Sequence, residues 1–235
     1  MKIFAFSDCH GFADELIAAL DEAGFEKGNP DHLLVGCGDY FDRGKQPREI
    51  MLFLESIPNK VLIKGNHEQM LVEAIEREYP HYYDFTNGTF DTICLLGDAG
   101  KWDSFDECCL KIEWRIDQWV RQMVNYYETE NYIFVHSFVP VYTDNWRESN
   151  QRAWDMAMWG NPYELAKQGF LPDKTLVFGH WNCSAGWAQA ERRPEFGEDS
   201  KFDIFHGDGF ISIDACTAYT GKVNILVLED ELCKH

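Results

Sequence analysis

The chain has 235 residues, of which 45% are hydrophobic and 26% charged, as is typical of one globular domain with a sizeable core. Lys and Arg number 21 against 40 Asp and Glu, and the net charge of −19 argues against nucleic acid as a partner, because such a surface repels phosphate backbones. The apolar runs are too short to span a membrane, so no membrane partner is expected. The eight cysteines form no C-x-x-C pair, which predicts reduced thiols, and with the lack of a signal-peptide pattern this predicts a cytoplasmic protein.

The first 80 residues alternate short apolar runs with amphipathic helical patterns. The predicted elements are a strand at 3–6, a helix that Gly24 ends, a strand at 33–35, a helix at 50–54, a strand at 61–63 and a helix from about His67 to Glu78. Such a β-α-β-α-β-α order is typical of a parallel sheet covered by helices.

Between about residues 80 and 130 the chain is aromatic, acidic and helical in pattern. Cys109, Ile112 and Ile116 fall on one helical face. We predict a helical cap inserted into a single domain that spans residues 1–235, because no Pro/Gly/Ser-rich linker brackets the segment. Strands are predicted again at 132–135, 175–178, 210–213 and 223–228, with the last two forming a closing hairpin through 218–222.

Polar residues follow five of the predicted strands. In chain order they are Asp8 and His10, then Asp39, Asp42 and Arg43, then Asn66 and His67, then His136, and finally His180. The carboxyl ends of parallel strands meet at one edge of a sheet, so we expect these side chains to lie together. Taken singly, each is better explained as a turn residue or a buried core histidine, but together they favour a metal site.

Carboxylate, imidazole and amide oxygen are ligands of zinc, manganese and iron. A bridging aspartate can hold two such ions about 3.5–4 Å apart, the spacing used for in-line displacement on phosphate esters. A locally positive centre inside an acidic molecule would also attract a phosphate group. The residues therefore predict metal-assisted chemistry on phosphate.

Three contiguous motifs and two single histidines carry a family resemblance. They are Asp8-Cys9-His10-Gly11, the segment from Gly38 to Gly44, Gly65-Asn66-His67-Glu68, and the late His136 and His180. The chain resembles the calcineurin-like metallophosphoesterases, and within them the bacterial and phage branch of the PPP protein phosphatases. The resemblance covers the chain except for about 80–130. It implies an α/β fold, a four-layer α/β/β/α sandwich.

The resemblance also implies a site with two divalent metal ions. Asp8, His10 and Asp39 would hold the first ion, and Asp39, Asn66, His136 and His180 the second, with Asp39 as the bridge. Manganese is the expected metal, with iron or zinc as alternatives. A hydroxide that bridges the two metals would attack phosphorus directly, without a phosphoenzyme.

Four further residues receive roles by resemblance. Arg43 would bind the phosphate oxygens, and His67, oriented by Asp42, would protonate the leaving group. Lys64 stands where family members often have arginine; it keeps the charge for substrate binding but lacks the bidentate fork. Arg147 and Arg152 are the two candidates for a further phosphate-binding arginine, and the sequence does not choose between them.

The expected activity is hydrolysis of phosphate monoesters, with phosphoserine or phosphothreonine in proteins, or a small phosphorylated molecule, as substrate. Two alternatives stay open: a dinucleoside polyphosphate hydrolase and an inactive metal-binding scaffold. The scaffold is disfavoured because it normally loses the acid or a ligand, whereas Asp42 and His67 are both present. Cys9 lies between two candidate ligands, and if its side chain faces the metals we expect a reactive thiolate.

Overall fold

The computed structural model describes residues 1–77, 79–100 and 103–231. Nine strands lie within these residues: β1 (Lys2–Phe6), β2 (His32–Gly36), β3 (Lys60–Leu62), β4 (Tyr126–Glu128), β5 (Tyr132–Val135), β6 (Thr175–Phe178), β7 (Phe205–Gly207), β8 (Phe210–Ser212) and β9 (Leu226–Glu229). Most of them are short, so their stability depends on packing against the layers on either side.

Ten α-helices and one short 3-10 turn, Trp146–Glu148, connect the strands of the described residues. The helices are α1 (Ala13–Glu22), α2 (Pro47–Glu55), α3 (Asn66–Arg77), α4 (Tyr82–Asn87), α5 (Thr89–Leu96), α6 (Phe105–Gln122), α7 (Gln151–Ala157), α8 (Pro162–Lys167), α9 (Cys183–Glu191) and α10 (Thr217–Thr220). None of the helices in the described part of the chain is long and apolar enough to cross a membrane.

The strands form two mixed sheets. The first has the order β3-β2-β1-β9, in which β1 pairs in parallel with β2 and antiparallel with β9. The second has the order β4-β5-β6-β8-β7, with β5, β6 and β8 parallel and an antiparallel strand at each edge. The carboxyl ends of the parallel strands in both sheets bring the candidate site residues to one rim.

Alternating side chains explain why the two sheets pack face to face. In β1, Ile3 and Ala5 point into a core shared with the second sheet, while Phe4 packs under α1 and α2. In the second sheet, Phe134 enters the same shared core and Leu176 faces the helices on the other side. Strands buried on both faces need apolar residues at successive positions. The predicted four-layer α/β/β/α arrangement is thereby confirmed.

The parallel sheet predicted from the first 80 residues is confirmed, because β3, β2 and β1 pair in parallel, and β9 returns antiparallel along the free edge of β1. One detail of the predicted architecture is wrong. The predicted closing hairpin is absent from the described residues: β8 pairs with β6 and β7 in the second sheet, whereas β9 belongs to the first. The connection between β8 and β9 contains α10 and crosses from one sheet to the other, so no tight turn joins them.

The segment predicted as a cap contains α4, α5 and α6, and its residues 101–102 lie outside the described residues, as does Glu78, the predicted end of α3. Helix α6 begins at a capping box in which the Ser104 N–H donates to Glu107 over 2.8 Å. Ile93 of α5 and Ile112 of α6 are buried in the core that lies against the first sheet. That the segment is an insertion stays a prediction.

Candidate metal centre

Five candidate site residues have a left-handed backbone. Their φ angles are 51° at Asp8, 46° at His10, 58° at Asp39, 74° at Arg43 and 62° at His180. Positive φ is uncommon outside glycine and costs free energy, so it persists where the surroundings hold it, often at functional sites. Here it turns each loop sharply after its strand and directs the side chains towards one centre.

The Glu68 carboxylate joins the loops that follow β2 and β3. It accepts hydrogen bonds from the backbone N–H groups of Asp39, Tyr40 and Gly65, at 2.9, 2.8 and 2.9 Å. These loops approach so closely that a Cβ at Gly38, where φ is +92°, would lie 2.7 Å from Gly65 Cα. Glu68 is the last residue of the third motif, but no sequence pattern marks this structural role.

The first group of donor atoms comes from His10, Asp39 and His67, whose atoms lie within 4.8 Å of one another. Both His10 Nε2 and His67 Nε2 are 3.8 Å from Asp39 Oδ2. Asp8 Oδ1 is 3.8 Å from His10 Nε2, while Asp8 Oδ2 accepts the His180 N–H over 2.8 Å. The structure thus brings together the residues predicted for the first metal, and adds His67 to them.

The second group comes from Asp39, His136 and His180, again within 4.8 Å. His136 Nδ1 lies 2.8 Å from the Cys37 carbonyl oxygen, which can only accept, so Nδ1 carries the proton. The other ring nitrogen, Nε2, lies 2.8 Å from Asn66 Oδ1 and 3.4 Å from Asp39 Oδ1. Three electron-rich atoms converge there, as expected of a cation site.

The electrostatics of the site fit a bound cation. Burial lowers the pKa of His10 well below its usual range and that of His180 to about 2, so both rings are neutral with lone pairs available. Burial raises the pKa of Asp39, and the Asp8 and Glu68 carboxylates add to this although His67 opposes it. A cation would relieve this crowding of buried negative charge, so the donor set suits divalent metals.

His67, Asp42 and Arg43 lie beside the first group. His67 Nδ1 is 2.7 Å from Asp42 Oδ2, and the Arg43 guanidinium lies 3.1 Å from His67 Nε2 and 2.9 Å from His10 Nε2. Burial lowers the pKa of His67, but Asp39 and the hydrogen bond to Asp42 outweigh it, so the pKa lies above the usual value. A guanidinium and a histidine–aspartate pair therefore lie next to the candidate metal ligands.

Two of the other three predicted cations, Lys64 and Arg147, are engaged by carboxylates. Lys64 Nζ pairs with Asp155 at 2.9 Å. Arg147 pairs with Glu128 at 2.8 Å and Asp173 at 3.0 Å, and Arg152 is exposed on α7. Lys64 and Arg147 line a groove of about 710 Å³ whose lining includes none of the candidate metal ligands.

The Cys9 side chain does not face the candidate metal ligands, so the condition for a reactive thiolate is not met. Its thiol is fully buried among core residues such as Phe6 and donates to the Tyr40 carbonyl over 3.5 Å. Burial raises its pKa, with Glu68 and Asp8 adding to the effect, so the thiolate is disfavoured. None of the seven cysteines in the described part of the chain, at 9, 37, 94, 108, 109, 183 and 216, forms a disulfide.

Two further buried residues at the site were missed by the sequence analysis. Asp214, two residues after β8, accepts the Cys216 N–H over 2.7 Å, and burial and the nearby Asp8 raise its pKa. Its place after a strand, like that of the other site carboxylates, is the signal that points to it. Thr89 donates to Asp42 Oδ2 over 2.6 Å, and no motif in the sequence marks it.

Imidazoles and carboxylates gathered at the rim of two packed sheets are a donor set that suits metal-dependent hydrolases, among them those that cleave phosphate esters. Within that class, the model of the calcineurin-like phosphoesterase family matches residues 1–208, and the chain belongs to this family. The family depends on two metal ions, and the residues assembled here are compatible with that requirement.

Curated relatives include two bacterial protein phosphatases. Serine/threonine-protein phosphatase 2 of Salmonella typhimurium is 33% identical over 89 residues, which cover 37% of this chain and 38% of that protein. Serine/threonine-protein phosphatase 1 of the same organism is 22% identical over 179 residues, covering 76% of this chain and 77% of its own length. The chain thus spans well under half of the first relative.

Solved structures share the fold at low identity. A protein provisionally assigned as a diadenosine tetraphosphatase has a TM-score of 0.60 and 15% identity, covering 97% of this chain and 89% of its own. A cold-active protein tyrosine phosphatase also has a TM-score of 0.60, at 18% identity, covering 97% of this chain and 73% of its own. These similarities confirm the α/β fold.

Proposed function

We propose that the chain is a two-metal phosphatase that hydrolyses phosphate monoesters, with phosphoserine and phosphothreonine in proteins as its substrates. One observation carries the proposal: two groups of donor atoms share Asp39, and a guanidinium and a histidine–aspartate pair lie beside them. The similarity to two serine/threonine-protein phosphatases supports the substrate class.

In this proposal Asp8, His10 and Asp39 hold one metal ion, and Asp39 with three further residues holds the other. Those three are Asn66, His136 and His180. When bound, divalent cations polarise the phosphoryl group and activate water for attack on phosphorus. Manganese, our proposed metal, accepts this mixture of oxygen and nitrogen donors, as do iron and zinc.

The chain's own residues would orient the substrate and transfer one proton to the leaving group. Arg43 is exposed at the mouth of the site, and its guanidinium can bind two phosphoryl oxygens at once. His67 would donate a proton from Nε2 to the departing oxygen. Asp42 holds the proton on Nδ1 and so keeps the ring in one orientation. General acid catalysis matters most for the strongly basic alkoxide of serine.

A substrate comparison with reloaded metal tests the proposal. The protein is stripped with a chelator, reloaded in parallel with manganese, iron or zinc, and assayed on a phosphoserine peptide and on diadenosine tetraphosphate. We expect manganese-dependent release of phosphate from the peptide, with a larger kcat/KM on the peptide than on diadenosine tetraphosphate. Hydrolysis of diadenosine tetraphosphate alone would favour the alternative, in line with the related crystal structure. Tight metal binding without hydrolysis of either would favour an inactive scaffold.

A further inference from the structure

A helix outside the sequence motifs touches the proposed proton donor. Thr89 is the first residue of α5, and its Oγ1 donates a 2.6 Å hydrogen bond to Asp42 Oδ2. The same oxygen accepts from His67 Nδ1 at 2.7 Å. Thr89 is fully buried and Asp42 is 1% exposed, so water does not compete for either bond.

Packing fixes the position of Thr89. Gly88, which precedes it, has a φ of 89°, and a Cβ there would lie 2.5 Å from the Arg43 backbone nitrogen. The N-terminus of α5 therefore lies directly against the loop that carries Asp42 and Arg43. One turn further along α5, Ile93 is buried in the core beneath α2 and α6. The hydroxyl is thus held in place from two sides.

We infer that Thr89 is a positioning residue for the His67–Asp42 pair. This inference rests on the role proposed for His67 above. The hydroxyl and the imidazole bond to the same carboxylate oxygen, which fixes the rotation of the Asp42 side chain. Asp42 Oδ1 has no hydrogen-bond partner among the described residues, so without the Thr89 hydroxyl the bond to His67 alone orients the carboxylate. A less well oriented acid then protonates the leaving oxygen more slowly.

The test compares three variants of the metal-loaded full chain. Thr89→Val removes the hydroxyl at nearly constant volume, and Thr89→Ser retains it. Thr92→Val is the matched control, because Thr92 lies on the same helix, is 1% exposed and donates over 3.4 Å to the Phe41 carbonyl instead of to Asp42. Each variant is assayed on a phosphoserine peptide and on p-nitrophenyl phosphate, whose leaving group needs little protonation.

We expect Thr89→Val to lose about tenfold in kcat on the phosphoserine peptide, as for one hydrogen bond to a charged group, and less than twofold on p-nitrophenyl phosphate. The kcat of Thr89→Ser and that of Thr92→Val should each lie within about twofold of wild type on both substrates. Metal content should equal that of wild type throughout. If Thr89→Val does not fold, Thr89→Ala takes its place with the same expectation.

Two results overturn the inference. One is an unchanged kcat in Thr89→Val on the phosphoserine peptide; the other is an equal loss on both substrates, which would indicate a purely structural role. Wild-type enzyme that hydrolyses neither substrate would overturn the proposed function together with the inference. An active wild type beside a normal Thr89→Val would overturn the inference alone.

Discussion

The candidate centre has two halves of different origin. The first-sheet half consists of the contiguous motifs that follow β1, β2 and β3. Glu68 joins the loops after β2 and β3, because its carboxylate accepts hydrogen bonds from the backbone N–H groups of Asp39 and Gly65. The second-sheet half consists of His136 and His180, which are single residues at the ends of β5 and β6. One half is organised locally along the chain, and the other depends on how the sheets pack.

Contacts between the halves show how the second is positioned. The Cys37 carbonyl after β2 accepts from His136 Nδ1 at 2.8 Å, and Asp8 after β1 accepts the His180 N–H at 2.8 Å. Each histidine of the second sheet is therefore oriented by an atom of the first. The shared apolar core between the sheets, with Ile3 and Phe134 among its residues, holds these contacts together.

Replacing the residue shared by both halves should have the largest effect. We predict that Asp39→Asn lowers the metal content to one ion or none and abolishes turnover, because one Asp39 oxygen faces each donor group. Elemental analysis and a phosphopeptide assay check this. Asp208→Asn, at an exposed position, is the control and should retain both ions. Two tightly bound ions with normal turnover in Asp39→Asn would disprove the bridging role.

The next largest effect should be confined to the first-sheet half. We predict that His67→Asn loses about 10²–10⁴-fold on a phosphoserine peptide, the usual contribution of a general acid, and much less on p-nitrophenyl phosphate. Steady-state kinetics and metal analysis check this, with the exposed His206→Asn as control.

Metal content decides how the His67→Asn result is interpreted, because His67 lies within 4.8 Å of the first donor group. Two retained ions would support the role of acid. Loss of one ion would instead make His67 a ligand, and the proposed assignment would be wrong.

A smaller effect should appear at the outer edge of the second sheet. Hydrogen bonds from Arg147 and then Lys174 lower the pKa of Glu128 to about 2. A carboxyl whose pKa is lowered on folding stabilises the fold above its unfolded pKa, and this contribution is lost as the pH falls through the folded value. We predict that Glu128→Gln lowers the free energy of unfolding by about 1 kcal/mol at neutral pH.

Denaturant titrations between pH 7 and pH 2 check this prediction. The difference between wild type and Glu128→Gln should shrink as the pH falls from about 5 towards 2, since wild-type Glu128 then becomes neutral as well. Glu130→Gln, at an exposed position two residues along, is the control. A pH-independent difference would show that the ion pairs with Arg147 and Lys174 do not stabilise this edge.

The smallest effect is expected in the motif of the first strand. Because Cys9 is fully buried and its pKa is raised by burial, Cys9→Ala should lose activity to peroxide at the same rate as wild type. Residual activity after timed exposure to peroxide measures this. Marked protection in the variant would mean that the thiol is reachable from the site after all.

Local patterns predicted most strands and the first-sheet motifs for identifiable reasons. Apolar runs such as 3–6 and 175–178 predict strands because both of their faces are buried, as Phe4 and Ile3 illustrate on opposite sides of β1. The hairpin predicted for the last two strands was wrong because hairpin signals are local. The choice of β9 between two sheets depends on the free edge of β1, which lies more than 200 residues away in sequence.

The sequence by itself determined the family, the strand-end motifs and the residue types suited to divalent metals, because these are carried by short, contiguous segments. The tertiary structure alone placed Thr89 against Asp42, 47 positions away, and His136 against Cys37, 99 positions away. In the tertiary structure, Lys64 also forms an ion pair with Asp155, and Cys9 is buried in the core. Such contacts join distant segments, and only the packing of helices and sheets decides which of them meet.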